Sequence, residues 1–385
     1  NTGATKIDFY NNAATTNITG GALQLGNSSS GASKNFYIRG TAPNLTLTNS
    51  SANHSCTLAE DLTIKGDLTL NGSGSFSSNS KSLTMTGMNS SYPGNISIPS
   101  GFTFTVNSSA SQFITFNSSY GNQSLTNAGT ITSNRLPGLI INNTYGGSGT
   151  VTIPGGLTVY GGATLNLSKG TLNVGTGITL GTAGSTGFTY IQGDGSISGN
   201  VTRNYGSGTI DYTYNGTSPQ VTGPELPSSI TGTLAVNNGS GVTLNTALQA
   251  GKLTMTAGTI VTTSTNLLTI TVTASSSITY TAGQVSGPLQ RTFKASQATG
   301  STFLFPLGKS SYRPLELVNP ITNSGGTVVI RAEVFDANCG GTAGTGMYAL
   351  NTDRYWTAEI TSGSVNFTST TIRLTETGLT TNHGI

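Results

Sequence analysis

The stretch GGATLNLSKGTLNV, Gly161–Val174, contains the pattern that decides the fold of this chain. Leu and Val alternate with Thr, Asn and Ser, which is the period of a β-strand with one buried face. Glycine stands before the first alternating run and between the two runs, as expected of turns that separate short strands. The sequence therefore predicts short strands that each bury one apolar face and are joined by tight turns.

The same pattern recurs in three tandem copies. Leu45 in NLTLTN, Leu139 in LIINN and Leu234 in LAVNN are spaced by 94 and 95 residues. Each copy then continues with a second alternating run that begins with glycine. A β-propeller would need a shorter period of about 40–50 residues. We therefore predict a parallel β-solenoid (β-helix), in which each coil stacks on the next and contacts only its neighbours.

The composition agrees with an all-β fold. Only 8% of the 385 residues are charged, whereas about 25% is usual. Glycine accounts for 53 residues, about twice its usual share of about 7%. Recurrent β-branched and aromatic residues argue against disorder. The net charge is +3 and the basic residues are scattered, so no clustered basic surface for nucleic acid is expected. No apolar stretch approaches the roughly 20 residues of a membrane span.

The last part of the chain has a different pattern. Its strands are longer and alternate more regularly, and it contains the single Trp of the chain, Trp356. We predict an antiparallel, Ig-like β-sandwich here, which we expect to continue beyond the end of the sequence. The predicted organisation is a solenoid over 1–300, with units at 25–110, 111–205 and 206–300, followed by the sandwich over 301–385.

Two stretches carry a resemblance to a known family. The stretch Tyr214–Val261 resembles the repeats of large cell-surface β-strand-repeat, adhesin-like proteins of Bacteroidota. A later stretch resembles the segment that follows those repeats; it contains GPLQRTF with FLFPLGKSSYRPLEL, followed by YALNTDRYWTAEI. Such proteins are usually exported by the type nine secretion system. The resemblance covers roughly residues 35–375 and implies an extracellular, cell-surface location and a structural or adhesive role. The C-terminal sorting domain of that family is not found in this sequence.

Residues with catalytic chemistry are few. The two histidines are His54 and His383, and no metal-binding or nucleophile–base motif includes either of them. The closest group of acids is Glu60, Asp61 and Asp67, which we interpret as a solvated charge cluster around Lys65. We expect no catalytic, metal or cofactor site. A polysaccharide lyase or hydrolase on a β-helix is the alternative, and it would need carboxylates about 5–10 Å apart across a cleft.

A tyrosine-rich patch over 188–216 is the candidate for ligand recognition. Exposed aromatic rings stack on sugars, and polar side chains hold their hydroxyl groups. The competing interpretation is that these tyrosines pack between coils. The candidate glycan-contact residues are Tyr190, Tyr205, Tyr212, Tyr214, Asp194 and Arg203.

A second set of residues is assigned to a structural junction. GSISGNVTRNY and GQVSGPLQRTF align, which matches Arg203 with Arg291. The residues expected to hold the solenoid–sandwich junction are Arg291, Lys309, Arg313 and Trp356.

These observations predict an extracellular structural or adhesive protein. The solenoid would serve as a rigid stalk or as a filament subunit that associates head-to-tail with copies of itself. The first alternative is a glycan-binding adhesin that uses the tyrosine patch. The expected partners are the chain itself and surface glycans.

Overall fold

The computed structural model describes residues 6–11, 18–27, 33–49, 53–106, 111–184, 187–204, 208–342, 345 and 350–376. The chain packs into two compact units, Asn1–Ile210 and Asp211–Ile385. Parallel β-solenoid coils, about eleven in all, occur in both units. The predicted all-β solenoid is therefore confirmed, and the second unit also contains the predicted antiparallel strands.

The strands of the first unit are short. In chain order they are β1 (Lys6–Asn11), β2 (Ala22–Leu25), β3 (Asn35–Ala42), β4 (Asn44–Thr48), β5 (His54–Ile64), β6 (Leu68–Asn71), β7 (Gly74–Ser77), β8 (Leu83–Met85), β9 (Ile96–Ile98), β10 (Phe102–Thr105), β11 (Phe113–Phe116), β12 (Gln123–Asn127), β13 (Thr130–Ile131), β14 (Arg135–Leu136), β15 (Gly138–Asn142), β16 (Thr150–Thr152), β17 (Leu157–Val159), β18 (Thr164–Lys169), β19 (Thr171–Asn173), β20 (Ile178–Leu180), β21 (Gly187–Gln192), β22 (Ser196–Ser198) and β23 (Val201–Arg203).

The strands of the second unit lengthen toward its end. They are β24 (Thr209–Tyr214, which contains the boundary between the units), β25 (Gln220–Val221), β26 (Ser229–Asn237), β27 (Val242–Thr243), β28 (Leu248–Ala257), β29 (Thr259–Val261), β30 (Leu268–Ile270), β31 (Ile278–Tyr280), β32 (Gln284–Ser286), β33 (Leu289–Phe293), β34 (Thr302–Phe305), β35 (Leu315–Thr322), β36 (Val328–Phe335), β37 (Tyr355–Ser362) and β38 (Phe367–Leu374). Where the structure describes the chain, its helical segments are 3₁₀ turns at Thr132–Asn134, Tyr145–Gly147, Ser275–Ser277 and Ser364–Asn366.

Each coil has three faces, named here by their order along the chain. In the first unit, the first face stacks β2, β4, β6, β9, β12, β16, β19 and β22 in parallel. The second face stacks the starts of β3 and β5 with β7, β10 and β13, and separately β14, β17, β20 and β23. The third face stacks the ends of β3 and β5 with β8, β11, β15, β18 and β21.

The coils of the second unit follow the same order. The first face stacks β25, β27, β29 and β32. The second face stacks the starts of β26 and β28 with β30 and β33. The third face stacks β24 with the ends of β26 and β28 and with β31. The long strands β3, β5, β26 and β28 therefore contribute to two faces each.

The core consists of apolar ladders inside the coils. On the second face of the first unit, Phe36, Cys56, Phe76, Phe104 and Ile131 occupy successive rungs and are all buried. The rings of Phe76 and Phe104 stack with centroids 5.4 Å apart. Because residues alternate in and out along each strand, Thr and Ser occupy the outward positions between these buried ones. The alternation seen in the sequence is thus the inside–outside pattern of the coil.

The physical repeat is the coil, and the sequence repeat spans several coils. Val242 pairs with Ile260, 18 residues later, and Ile96 pairs with Leu125, 29 residues later. Leu45 lies on a first-face strand, whereas the matched leucines of the second and third copies lie on third-face strands. The first copy of the sequence repeat is therefore shifted by one face, which the short alternating runs do not reveal.

The three copies of the sequence repeat share a buried asparagine at a coil corner. Asn49, Asn143 and Asn238 are 6%, 0% and 0% exposed and follow β4, β15 and β26. The Asn238 amide donates to Ser218 O (2.8 Å) and to Gln220 Oε1 (2.7 Å), and Asn143 makes equivalent bonds to Gly121 and Gln123. These amides satisfy backbone groups that no strand pairing reaches.

Glycine in the next coil makes room for this corner. Gly258 has φ +86°, and a Cβ on it would overlap the carbonyl oxygen of Asn238. Gly72 has φ +80° and stands in the same relation to Asn49. Only glycine adopts this backbone conformation and close approach without strain. The Asn and Gly of the sequence repeat therefore belong to one corner structure.

The C-terminal strands form two antiparallel sheets in the second unit. One sheet is β33–β36–β37 and the other is β34–β35–β38. Their buried side chains meet, as shown by the rings of Phe293 and Phe303, whose centroids are 4.7 Å apart. Six strands of the sandwich lie within the described residues, whereas an Ig constant-type domain has seven. Its strand β33 is also the last rung of the second face, so sandwich and final coils share one compact unit.

Candidate functional site

The tyrosine patch lies inside the coils. Tyr190, Tyr212 and Tyr214 are each 0% exposed, because they occupy inward positions of β21 and β24. Tyr190 donates to Gln192 Oε1 at 2.7 Å, and Tyr214 donates to Glu225 Oε1 at 2.9 Å. The expectation that these rings are exposed for stacking on sugars is therefore wrong, while Tyr205 lies outside the described residues. The aromatic rings occupy ladder positions that leucine or valine takes in neighbouring coils, and the hydroxyl groups of Tyr190 and Tyr214 are satisfied internally.

The two other residues of that patch are half-buried. Asp194 lies in the turn before β22, and its backbone N–H donates to Ser168 O. Arg203 pairs with Leu180 on the second face, and its Nη1 donates to Val201 O at 3.3 Å. The described tyrosines of this patch point into the core, so none of these three offers an exposed ring to Asp194 or Arg203.

Arg291 ends the corresponding ladder of the second unit. It pairs with Ile270 on the second face, as Arg203 pairs with Leu180. The sequence match between the two arginines is thus a structural one: in each unit the last parallel rung of this ladder carries arginine where earlier rungs carry apolar residues. The side chain of Arg291 is only 1% exposed.

Neutral groups hold the buried guanidinium. Nη1 of Arg291 donates to Leu304 O at 2.7 Å, and Nη2 donates to Ser277 Oγ at 2.9 Å and to two carbonyl oxygens at 3.1 Å, those of Ala274 and Ser275. The guanidinium carbon lies 5.0 Å from the ring centroid of Phe303. Burial lowers the pKa of Arg291 to about 9, so the group is still charged at neutral pH. Arg291 therefore links the last coils to β34.

Two more of the predicted junction residues, Arg313 and Trp356, lie at an ion-pair network of the sandwich. Arg313 contacts Glu376 at 3.3 Å, and Arg354 bridges Glu376 (2.6 Å) and Asp336 (2.7 Å). Trp356 Nε1 donates to the carbonyl oxygen of Arg313 at 3.2 Å. Bonds from Ser310 and Arg354 lower the pKa of Asp336 to about 2. The sequence reasoning did not identify Arg354, although DRYW places it two residues before the tryptophan.

Lys309 contacts a different sheet face. Its ammonium lies 3.0 Å from Glu333 Oε1 and 5.7 Å from the ring centroid of Phe335. It belongs to the segment that follows β34 and covers the end of the coils.

The acids of the first unit have separate structural partners. Glu60 pairs with Arg39 at 2.9 Å. Asp61 accepts a backbone hydrogen bond from Ser82 at 2.8 Å. Asp67 Oδ1 accepts from the backbone N–H groups of Gly94 and Asn95 in the next coil, at 3.0 and 2.8 Å. Asp67 thus belongs to a ladder in which each side chain caps the following coil.

His54 and Cys56 both point into the core. His54 is 1% exposed and its Nδ1 accepts from the backbone N–H of Lys34 at 3.1 Å, while Nε2 has no hydrogen-bond partner among the described residues. Burial lowers the pKa of His54, and burial raises the pKa of the Cys56 thiol to about 12. Within the described ranges, no three His, Cys, Asp or Glu side chains lie close enough to hold a metal ion together.

A charged cleft in the second unit is the candidate site that sequence reasoning missed. Its volume is about 270 Å³, slightly below the roughly 300–1,000 Å³ of ordinary ligand pockets. Arg331 and Glu359, on adjacent strands, pair at 2.5 Å on one wall, and the Lys309–Glu333 pair flanks the cleft. The lining residues are Ser264, Pro288, Arg331, Glu333, Phe335, Thr357 and Glu359.

An aromatic pair stands beside this cleft. The rings of Phe335 and Tyr355 stack with centroids 4.7 Å apart, and both residues are half-buried. Aromatic rings next to charged hydrogen-bonding groups are the chemistry that we expected of the tyrosine patch. The only sequence signal was the alternation in VIRAEVF, which places Arg331, Glu333 and Phe335 on one strand face.

No protein-family model matches the chain, and comparisons with curated proteins and with solved structures give no significant match. In the part of the chain that the structure describes, no helix is both long and apolar enough to cross a membrane.

Proposed function

We propose that this chain is an extracellular structural or adhesive protein, in which the solenoid serves as a stiff support and does not itself catalyse a reaction. The observation that carries the proposal is the construction of the coils. Their interiors are filled by apolar ladders and their corners are satisfied by buried asparagines such as Asn143 and Asn238. Stacked coils of this kind give stiffness without a catalytic cleft of their own.

The covered end of the coils favours a stalk over a filament made by stacking coil on coil. On the second face β33 pairs with β36, and on the first face Val285 forms a bridge to Leu307. On the third face the rings of Tyr280 and Tyr312 stack at 4.6 Å. The first and second faces are thus backbone-paired at this end and the Tyr312 ring packs beside the third, which leaves fewer free strand edges for a head-to-tail contact.

The role is tested with beads that carry the purified chain. We expect the beads to be retained under flow on at least one polysaccharide-coated surface, with no release of reducing ends from that polysaccharide. Beads with bovine serum albumin serve as the control. Release of oligosaccharides would contradict the non-catalytic role, and absence of retention on every surface would contradict the adhesive role.

Glycan recognition at the charged cleft is the second candidate function. It is favoured by the Phe335–Tyr355 stack beside Arg331 and Glu359. Glu333 and Glu359 are diagonal neighbours on adjacent strands, about 7–8 Å apart, so the cleft is also where the hydrolase alternative is best tested. Glu359→Gln and Phe335→Leu should abolish binding on a glycan array, while Val365→Thr, which alters a distant exposed residue, should not.

A further inference from the structure

The two C-terminal strands are edges of the sandwich. Among the described residues, β37 pairs only with β36 and β38 pairs only with β35. No residue of either eight-residue strand is buried, whereas every second residue of β36 is. Both edges therefore present backbone N–H and C=O groups without a strand partner, on neighbouring layers of the sandwich.

The inward side chains of these edges leave an apolar slot. Ala358 lies opposite buried Ala332, and Ile372 lies opposite buried Leu317, so both face the sandwich interior. Ile372 is nevertheless 52% exposed, and Ala358 is exposed as well. An interior-facing isoleucine that is half exposed indicates that the sandwich is not filled at this edge.

Both ends of the slot are fixed. At one end the Arg354–Glu376 ion pair, at 2.6 Å, joins the residue before β37 to a residue after β38. At the other end the short turn Gly363–Asn366 connects the two strands, with Asn366 N–H donating to Gly363 O at 2.9 Å. The slot is thus held open at a defined width between two antiparallel strands.

The edges lack two of the three features that usually protect free strands. Natural edges are commonly blocked by lysine, proline or bulges, and neither β37 (YWTAEITS) nor β38 (FTSTTIRL) contains lysine or proline. The pairing of each edge does contain a register shift, but the residues of β37 from Tyr355 to Ile360 and of β38 from Thr371 to Leu374 pair without one. Each strand has one charged side chain, on its outward side: Glu359, 60% exposed, and Arg373, 55% exposed. The charges of the two edges are therefore opposite.

We propose that this open edge is the interface of a symmetric dimer of the chain, in which β37 of each copy pairs antiparallel with β38 of the other. A two-fold axis parallel to the strands produces both pairings at once, so the contact is isologous and closes at two copies. It extends both layers and covers Ala358 and Ile372. The pairing also places Glu359 on the same outer face as Arg373 of the second copy, about one diagonal position away.

Charge distinguishes this arrangement from the other symmetric one. The other symmetric dimer would pair β37 with β37 and β38 with β38. It would bring Glu359 close to Glu359 and Arg373 close to Arg373, and such like-charge neighbours are unfavourable. The mixed pairing brings unlike charges together instead. This self-complementarity is the reason to assign a second copy of the chain to the slot. The dimer does not depend on the proposed adhesive function.

The test is sedimentation equilibrium of the purified chain over a wide concentration range. We expect a monomer–dimer equilibrium for the unaltered protein and a monomer at all concentrations for Ile372→Lys. The matched control is Val365→Lys, which adds the same charge at an 86% exposed residue outside the edges and should dimerise normally. Fluorescence of Trp356 and urea unfolding show whether each variant is folded.

A charge exchange tests the pairing itself. Each of these charges has a partner in its own sheet, Glu359 with Arg331 and Arg373 with Glu316, so the test reverses whole ion pairs. The variant with Arg331→Glu and Glu359→Arg, and the variant with Glu316→Arg and Arg373→Glu, should each weaken the dimer about tenfold or more. The variant that combines both reversed pairs should restore it, because the mixed pairing again joins unlike charges. A monomer at every concentration for the unaltered chain, unchanged dimerisation of Ile372→Lys, or a combined variant as weak as the two from which it is made would overturn the proposal. Retention on polysaccharide is measured separately, so failure of the dimer and failure of the adhesive role are distinguishable.

Discussion

Replacement of Arg291 by methionine tests how the last coils are joined to the sandwich. Methionine is apolar and unbranched, so it fills much of the same space without a charge. It removes the donor of four hydrogen bonds, to Leu304, Ala274, Ser275 and Ser277. Only the Ser277 acceptor belongs to a fully buried residue, but all four bonds come from a charged donor. Hydrogen bonds to a charged group contribute about 1.5–3 kcal/mol each, or about 8 kcal/mol for the four.

The change also removes an unfavourable contribution. A pKa lowered from 12.5 to about 9 corresponds to a burial cost of about 5 kcal/mol for the charged form. The difference leaves a net loss of about 3 kcal/mol in the free energy of unfolding for Arg291→Met. Because the shared strand β33 connects coils and sandwich, this loss should appear in the transition of the second unit.

The measurement is equilibrium unfolding in urea, followed by the fluorescence of Trp356, which lies in the second unit. The control is Arg331→Met, since Arg331 is 36% exposed and forms a surface ion pair with Glu359, which contributes about 0–1 kcal/mol. If Arg291→Met is as stable as the unaltered protein or more stable, the cost of burying the cation outweighs its hydrogen bonds and the reasoning is refuted.

Three further predictions concern buried polar groups. Because burial lowers the pKa of His54, the unfolded chain binds a proton more readily than the folded one. The first coils should therefore lose stability as the pH falls below about 6.5. Hydrogen exchange of β3 and β5 at pH 7 and pH 5 measures this loss, and His54→Leu should remove the pH dependence. Asn143→Ala and Asn238→Ala should each lower the free energy of unfolding by about 1–3 kcal/mol, as measured by circular dichroism in urea, and a loss below 0.5 kcal/mol in both would contradict the assigned corner role. With the Cys56 thiol buried and its pKa raised to about 12, a thiol reagent should label Cys339 alone in the native protein and both cysteines in urea, so native labelling of Cys56 would contradict its placement in the core.

Particular residues show how far the sequence alone could go. The alternation around Leu165 and Leu167 predicts inward and outward residues correctly, because a strand gives its side chains a period of two whatever lies next to it. The alignment of Arg203 with Arg291 also identifies a shared ladder position. These are local regularities, and they depend on neighbouring residues in the chain.

Other features depend on which coil lies above and below. Tyr212 and Tyr214 look the same in the sequence whether they point outward or inward, and their burial follows from the register of β24 against β26. The face on which Leu45 lies depends on how the chain turns at each corner. The charged cleft was missed for a related reason, since it joins residues from coils and sandwich that are far apart in the chain.

The sequence by itself determined an all-β chain of short alternating strands, a stacked solenoid and a change to longer strands near the end, because strand period and turn residues are set within a few residues. Only the tertiary structure decided the three faces of each coil, the burial of the tyrosines and of Arg291, and the open edge beside Ile372. These depend on register and on packing between segments distant in the chain, and a shift of one residue in register would exchange the inner and outer faces of a strand.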